Sequence, residues 1–222
     1  MGASPRMRWV RLGEHALECS WEGADPLAVQ RRIAALAARL RGNPKVADVV
    51  VSMQALAVFF QDAGDDALLA RYADEVRRLW NDLPPKTERE VRVVEIPVRY
   101  GGVDGPDLAE VARLCEMTEA EVIRRHCGVE YTVFFLGFQP GFAYLGGMDA
   151  RLAVPRLSEP QPSVAAGSVG IGGAMTGVYP RNGPGGWRII GRTELTLFDV
   201  THTPPALLQP GDRVRFIPVS QP

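Results

Sequence analysis

Apolar and polar side chains alternate loosely over residues 8–12 and 16–21, which is the period of a hairpin or two short strands. The period then changes. Val29, Ile33, Leu36 and Leu40 recur at spacings of four, three and four, which places them along one face of a helix. Asp25 and Pro26 suit its cap and first turn, and Gly42, Asn43 and Pro44 end it. Val46 to Val51 and Ala55 to Phe60 predict two strands joined by a short polar turn, and Leu69, Tyr72, Val76 and Leu79 predict the inner face of a second helix. This order of elements predicts an α+β protein whose N-terminal domain, residues 1–86, is a ferredoxin-like split βαβ unit with its last strand near Val91 to Val94. Pro84-Pro85-Lys86 reads as the linker to a second domain, residues 87–222, which opens with the run Val91 to Tyr100.

Two short helices are expected next. The second has Thr118 and Glu121 as a capping box, Met117 and Val122 spaced as a hydrophobic staple, and an end near His126 and Gly128. From Tyr131 onward the apolar runs are short and bounded by Gly or Pro, as in Tyr131 to Leu136, Arg188 to Ile190 and Leu195 to Phe198. Fourteen of the 23 glycines fall between Gly128 and Gly191, so backbone can approach a ligand closely there. The pattern predicts a closed β structure with a shaped mouth.

Composition narrows the chemistry. The chain has 222 residues, 46 % of them hydrophobic, enough for a packed core. Lys and Arg number 25 against 26 for Asp and Glu, with no long block of one sign, which argues against nucleic acid or an anionic membrane surface as partner. No apolar segment suits a signal peptide or a membrane span, so a cytoplasmic protein is expected. Cys19, Cys115 and Cys127 form no CxxC pair, and His15, His126 and His202 lack metal-ligand spacing, so neither disulfide nor metal is expected. Only Lys45 and Lys86 are lysines and no phosphate-binding GxxxxGK[ST] occurs. Ser168 is not in a GxSxG elbow, which sets serine-hydrolase chemistry aside.

Arg156 and Arg192 each sit beside Gly or Pro, where a planar guanidinium could meet a carboxylate or phosphoryl oxygen, or could instead cap loop carbonyls. Phe138, Phe142, Tyr144 and Trp187 could line a pocket or fill the barrel. Phe138 reads best as core and Trp187 as flanking a ligand or partner. His126, near a helix C-terminus, would be favoured in its protonated form by the helix dipole. Asp199, after the predicted strand Leu195 to Phe198, could position Arg192, act as a base, or form a simple ion pair.

The motifs Gly137-Phe138-x-Pro140-Gly141-Phe142-x-Tyr144-Leu145, Pro155-Arg156, Ala166-Gly167-Ser168-Val169, Tyr179-Pro180, Pro184-Gly185-Gly186-Trp187 and Gly191-Arg192-Thr193 occur in this order. With Ile96-Pro97-Val98-x-Tyr100-Gly101 and Gly105-Pro106-Asp107-Leu108 upstream, the chain resembles, over essentially its whole length, the allophanate hydrolase subunit 1 family. That family is also known as the KipI family or the family of B-type 5-oxoprolinase subunits (PxpB). The resemblance implies a cyclophilin-like β-barrel behind the N-terminal domain. It also implies a non-autonomous subunit of an ATP-dependent 5-oxoprolinase, with ATP as co-substrate bound with or by partner subunits. The implied partners are an allophanate hydrolase subunit 2 (KipA/PxpC-like) chain and a LamB/YcsF (PxpA-like) chain. Two other activities attach to the family: inhibition of a sensor histidine kinase, and urea or allophanate processing. A cyclophilin-like barrel alone would add prolyl isomerase activity, for which no catalytic motif is present.

Arg156, Arg192, His126 and Asp199 are candidate catalytic residues, the first three also supported by the resemblance. Phe138, Pro140, Gly141, Phe142, Tyr144, Gly185, Gly186, Trp187 and Thr193 are candidate substrate-binding residues, the amides of Gly141, Gly185 and Gly186 serving as donors to developing charge. The chain departs from the family at Gln161, where an Arg is usual, and at Ala165 and Cys127. The loss of a bidentate donor at Gln161 puts anion binding at that position in doubt.

Overall fold

The computed structural model describes residues 6–22, 26–62, 64–83 and 92–219, with backbone alone for residues 26 and 27. Its contacts divide the chain into two units, Met1–Glu90 and Val91–Pro222. The expected cap Asp25, the linker Pro84-Pro85-Lys86 and the expected boundary between residues 86 and 87 lie outside the described residues.

In the first unit the chain forms strands β1 (Arg6–Leu12) and β2 (Ala16–Glu22), helix α1 (Pro26–Arg41), strands β3 (Val46–Val51) and β4 (Ala55–Phe60), and helix α2 (Asp66–Asp82). The strands make one antiparallel sheet in the order β1-β2-β4-β3. The periodic residues Val29, Ile33, Leu36 and Leu40 are all buried, and so are Leu69, Tyr72 and Val76. On α2, Trp80 rather than Leu79 completes the buried stripe, and its ring packs, tilted, with its centroid 4.3 Å from that of Trp21 of β2. Asp65 caps this helix by accepting from the Leu68 N–H. The strand expected near Val91 to Val94 is not part of this sheet. The edge beside β2 is filled by β1, whose hairpin is local and closes with little loop entropy.

The second unit begins with β5 (Val93–Tyr100), α3 (Leu108–Leu114) and α4 (Glu119–Cys127). It continues through β6 (Tyr131–Leu136), β7 (Ala143–Gly146), β8 (Gln161–Val164), β9 (Ser168–Gly172), β10 (Met175–Val178), β11 (Gly183–Gly185), β12 (Arg188–Arg192) and β13 (Arg213–Pro218). Seven strands close a barrel in the order β10-β7-β6-β13-β5-β12-β9, parallel only between β5 and β13, while β8 and β11 pair as a separate ribbon. Alternate residues such as Ile96, Val98, Val133, Val169, Ile171, Val178, Ile190, Val214 and Phe216 fill its interior. Leu195 to Phe198 is not a strand: only Phe198 makes an isolated bridge, to Ala206. Thr118 caps α4 as expected, but Glu121 directs its carboxylate to Arg124 and Arg125 instead of back to the cap. No described helix is long and apolar enough to cross a membrane.

Helix α4 delivers His126 into the barrel core, where it is fully buried. Thr176 donates its hydroxyl proton to the Gly170 carbonyl at 2.9 Å, so it accepts from His126 Nε2–H, also at 2.9 Å. That fixes the tautomer, and Nδ1 then accepts from the Tyr100 hydroxyl at 2.8 Å. The expectation of a protonated His126 is therefore corrected. Burial pushes its pKa down to about 3, and a helix dipole worth at most ~2 kcal/mol does not offset removing an imidazolium from water.

An unfolded His126 takes a proton near 6.5 and the folded one only near 3, so stability present above 6.5 is lost as pH falls through that window. Urea unfolding of the wild type between pH 6.5 and 5 should lose stability through His126 with a slope that rises toward about 1.4 kcal/mol per pH unit. The dependence should flatten in His126→Gln; an identical slope in both would contradict a neutral buried imidazole.

Candidate functional site

The outer wall of the barrel carries glycine where a second layer lies against it. Gly170 of β9 and Gly177 of β10 are register partners, and Gly172 follows on β9. A methyl group at Gly172 would lie 2.5 Å from Trp187 Nε1, and one at Gly177 would lie 3.2 Å from Trp187 Cζ3. Trp187 is thus laid against bare backbone. It is 4 % exposed and shares a cluster with Phe142, Val164, Tyr179 and Ile189. The expectation that Trp187 flanks a ligand is corrected, because its indole is the centre of a second core beneath the β8–β11 ribbon.

The rim of that core is more open. Tyr144 is half-buried, stacked on Phe135 at 4.3 Å and edge-on to Trp187 at 5.7 Å. Burial raises the pKa of Tyr144 and of Tyr179, and the nearby Arg156 charge lowers both by less, so both phenols are neutral at physiological pH. Arg156 itself is exposed, with Cζ 5.9 Å from the Trp187 ring centroid. Among the described residues nothing forms a hydrogen bond or ion pair with its guanidinium. An unpaired cation over a neutral aromatic floor is an arrangement suited to a small carboxylate.

Phe138 lies beside this floor and is the opposite of a core residue. It is 58 % exposed and has φ +69, a conformation that costs a non-glycine residue roughly 1–3 kcal/mol. The Gln139 N–H donates to the Gly137 carbonyl at 2.8 Å, so Phe138 forms the centre of a tight three-residue turn. Gly141 closes the loop at φ +83, where a methyl group would meet Phe198 Cβ at 2.7 Å. The turn presents the ring edge-on to Phe142 at 5.6 Å and to Tyr179 at 6.3 Å. On its other side Pro140, Gly141, Phe198, Pro204 and Pro205 line an open hollow of about 570 Å³. Gly185 and Gly186 belong to the first side. Tyr179 Oη would lie 2.4 Å from a methyl group at Gly185, and the Gly186 carbonyl accepts from the Leu157 N–H.

The remaining candidates are placed elsewhere. Arg192 is not in a loop but at the far end of β12, with about 16 Å of strand between it and Trp187, and its buried Nε has no hydrogen-bond partner among the described residues. Thr193 is buried, its N–H bonded to Gly167 O at 2.9 Å. Asp199 does not meet Arg192. Its carboxylate accepts from Thr201 N and Oγ1 and lies 3.2 Å from His202 Nδ1, and these contacts, with the Thr201 bonds first, lower its pKa. His126 is sealed in the barrel. Gln161 starts β8 and pairs in register with Gly185. No group of three or more His, Cys, Asp or Glu that could hold a metal gathers among the described residues. Two residues beside the floor escape a reading of the sequence: Tyr179 stands out there only through its motif, and Arg188 not at all. The Gly-Gly-Trp before Arg188 is the one signal that backbone packs closely at this point.

Residues 7–208 match the family described as "Carboxyltransferase domain, subdomain C and D". The chain is 47 % identical to the B-type 5-oxoprolinase subunit of Escherichia coli O157:H7 over 96 % of each sequence. It is 41 % identical to the protein of the same name from Haemophilus influenzae, over 95 % of this chain and 97 % of that one. Among solved structures it resembles TTHA0988 with a TM-score of 0.76 and 36 % identity, over 94 % of this chain. This chain spans about two fifths of the length of TTHA0988, 40 %. The urea amidolyase of K. lactis superposes with a TM-score of 0.75 at 17 % identity, over 98 % of this chain and 15 % of that one, and shares the fold.

Gly172→Ala should cost about 1–3 kcal/mol in chemical denaturation, because the methyl group displaces Trp187. Gly186→Ala, whose methyl would touch Pro160 at an ordinary 3.8 Å, should cost less than Gly172→Ala. Equal effects would contradict the packing described.

Proposed function

The chain belongs to the carboxyltransferase domain, subdomain C and D family, and on that premise we propose that it is a subunit of a 5-oxoprolinase, opening the lactam of 5-oxoproline to glutamate at the expense of ATP. The near full-length identity to two proteins named as B-type subunits of 5-oxoprolinase supports the assignment. The observation that carries it to particular residues is the exposed Arg156, without a hydrogen-bond or ion-pair partner among the described residues, near enough to the half-buried Tyr144 for its charge to be felt there. A five-membered lactam bearing one carboxylate is small and flat, and it needs a cation for the carboxylate and an apolar surface for the ring. Arg156 supplies the first and the aromatic rim the second, while the neutral Tyr144 phenol is a donor for the amide oxygen.

A lactam is a poor electrophile, and phosphorylation of its oxygen by ATP makes the carbon attackable by water. The sequence carries no phosphate-binding loop, so the nucleotide is held with or by companion subunits. In our reading these are an allophanate hydrolase subunit 2 chain and a LamB/YcsF-type chain. The Phe138 turn is a contact for that assembly, because an aromatic ring held out by a strained turn beside an open apolar hollow is poorly accounted for in an isolated chain. We read the barrel as cyclophilin-like and the N-terminal unit as ferredoxin-like, with β1 in the edge position of the last strand.

In enzyme reconstituted from all subunits, Arg156→Ala should raise KM for 5-oxoproline about 10- to 100-fold, the worth of a lost charge-assisted hydrogen bond, and leave KM for ATP unchanged. An unchanged KM for 5-oxoproline would remove Arg156 from the site. Phe138→Asp should weaken assembly with the companion subunits by about tenfold or more without lowering Tm. Wild-type assembly would show that the turn is not a contact.

A further inference from the structure

Arg156 is exposed and has no hydrogen-bond or ion-pair partner among the described residues, yet its backbone is held on both sides. The Pro155 carbonyl, immediately before it, accepts from Arg188 Nε at 3.0 Å. The Leu157 N–H, immediately after it, donates to the Gly186 carbonyl at 2.8 Å. Gly186 and Arg188 are the two neighbours of Trp187, so residues flanking Arg156 are tied to residues flanking the ring it overlies. Of the two ties, only the one from Arg188 is a side chain and can be removed without altering backbone.

Arg188 is itself well constrained. Its side chain is 14 % exposed, and Nη1 lies 4.0 Å from Glu110 Oε1. Glu110 is in turn gripped by Arg113 through two hydrogen bonds of 2.8 Å. Arg188 therefore holds the Pro155 carbonyl, and Pro155 presents Arg156. We infer that Arg188 is a positioning residue that fixes the guanidinium of Arg156 over the aromatic floor, acting through Pro155 without touching substrate. The inference rests on the reading of Arg156 as the carboxylate-binding group. With the Arg188 tie lost, only the backbone tie at Leu157 would hold the residues next to Arg156, and displacement of a binding group by about 1 Å is costly.

The test is a double-mutant cycle in the fully reconstituted enzyme, with KM for 5-oxoproline, KM for ATP, kcat and Tm measured for wild type, Arg188→Met, Arg156→Ala and the double variant. Arg188→Met alone should raise KM for 5-oxoproline about five- to tenfold, with kcat within about twofold and KM for ATP unchanged. On the Arg156→Ala background the same substitution should change KM by less than about twofold, since nothing remains to position. If the two effects multiply, Arg188 acts independently and the inference is overturned. If Arg156→Ala raises KM but Arg188→Met does not, the inference falls while the reading of Arg156 stands. If Arg156→Ala itself leaves KM unchanged, both fall. Should Arg188→Met fail to fold, Arg188→Lys, which keeps the charge but loses the Nε donor, takes its place with the same expected non-additivity.

Discussion

Everything in the C-terminal unit that bears on function depends on Trp187 lying flat against a wall of glycine. Close packing leaves no room for both an indole and a row of side chains, and the chain resolves this by removing the side chains at Gly170, Gly172 and Gly177. A large aromatic surface is thereby buried outside the barrel and not within it. The barrel interior is filled independently by residues such as Val169, Ile171, Ile190 and Phe216. The two cores share the strands β9, β10 and β12 as a common wall. The β8–β11 ribbon is then held over Trp187, and the segment around Arg156 is laid across it.

The consequence is a site whose floor is rigid and whose cation is free. Phe142 and Trp187 are locked by edge-to-face contacts near 5.3 Å, while Tyr144 and Tyr179 stay neutral because burial disfavours the phenolate. Several arginines of the unit are paired, Arg99 with Asp104 and Glu194, Arg125 with Glu121 and Asp149, Arg151 with Asp149; Arg156, like Arg181 and Arg192, forms no hydrogen bond or ion pair among the described residues, and it overlies Trp187. Against that background a guanidinium with no partner above an aromatic surface is an available binding group. Phe138 adds a second departure from ordinary surface chemistry, since strain and exposure fall on one residue.

Where neighbours in sequence decide structure, the sequence is legible. The stripe Val29, Ile33, Leu36 and Leu40 defines α1, Thr118 caps α4, and the runs Val46 to Val51, Ala55 to Phe60 and Tyr131 to Leu136 are strands with those limits. Decisions made by distant residues are not legible. Val93 to Tyr100 joins the barrel because β13, more than 100 residues later, supplies a parallel partner. Leu195 to Phe198 has strand-like residues but almost no ladder to join. Trp187 reads as a ligand-flanking residue because glycines beside it imply close approach. The approach is real, but the neighbour is the wall of its own barrel. Phe138 reads as core because hydrophobicity does not encode a positive φ. Of the candidate residues, Arg156 is near enough to Tyr144 for its charge to be felt there, while His126 is sealed in the barrel and Asp199 bonds Thr201 instead of Arg192. Distance along a sheet is not readable from sequence spacing alone.

The most direct test of the account is conversion of 5-oxoproline to glutamate by this chain mixed with its two companion subunits and ATP, each component being left out in turn. The account predicts turnover that requires every chain and the nucleotide. Turnover by the companions alone, or none from an assembly shown to be complete, would contradict it.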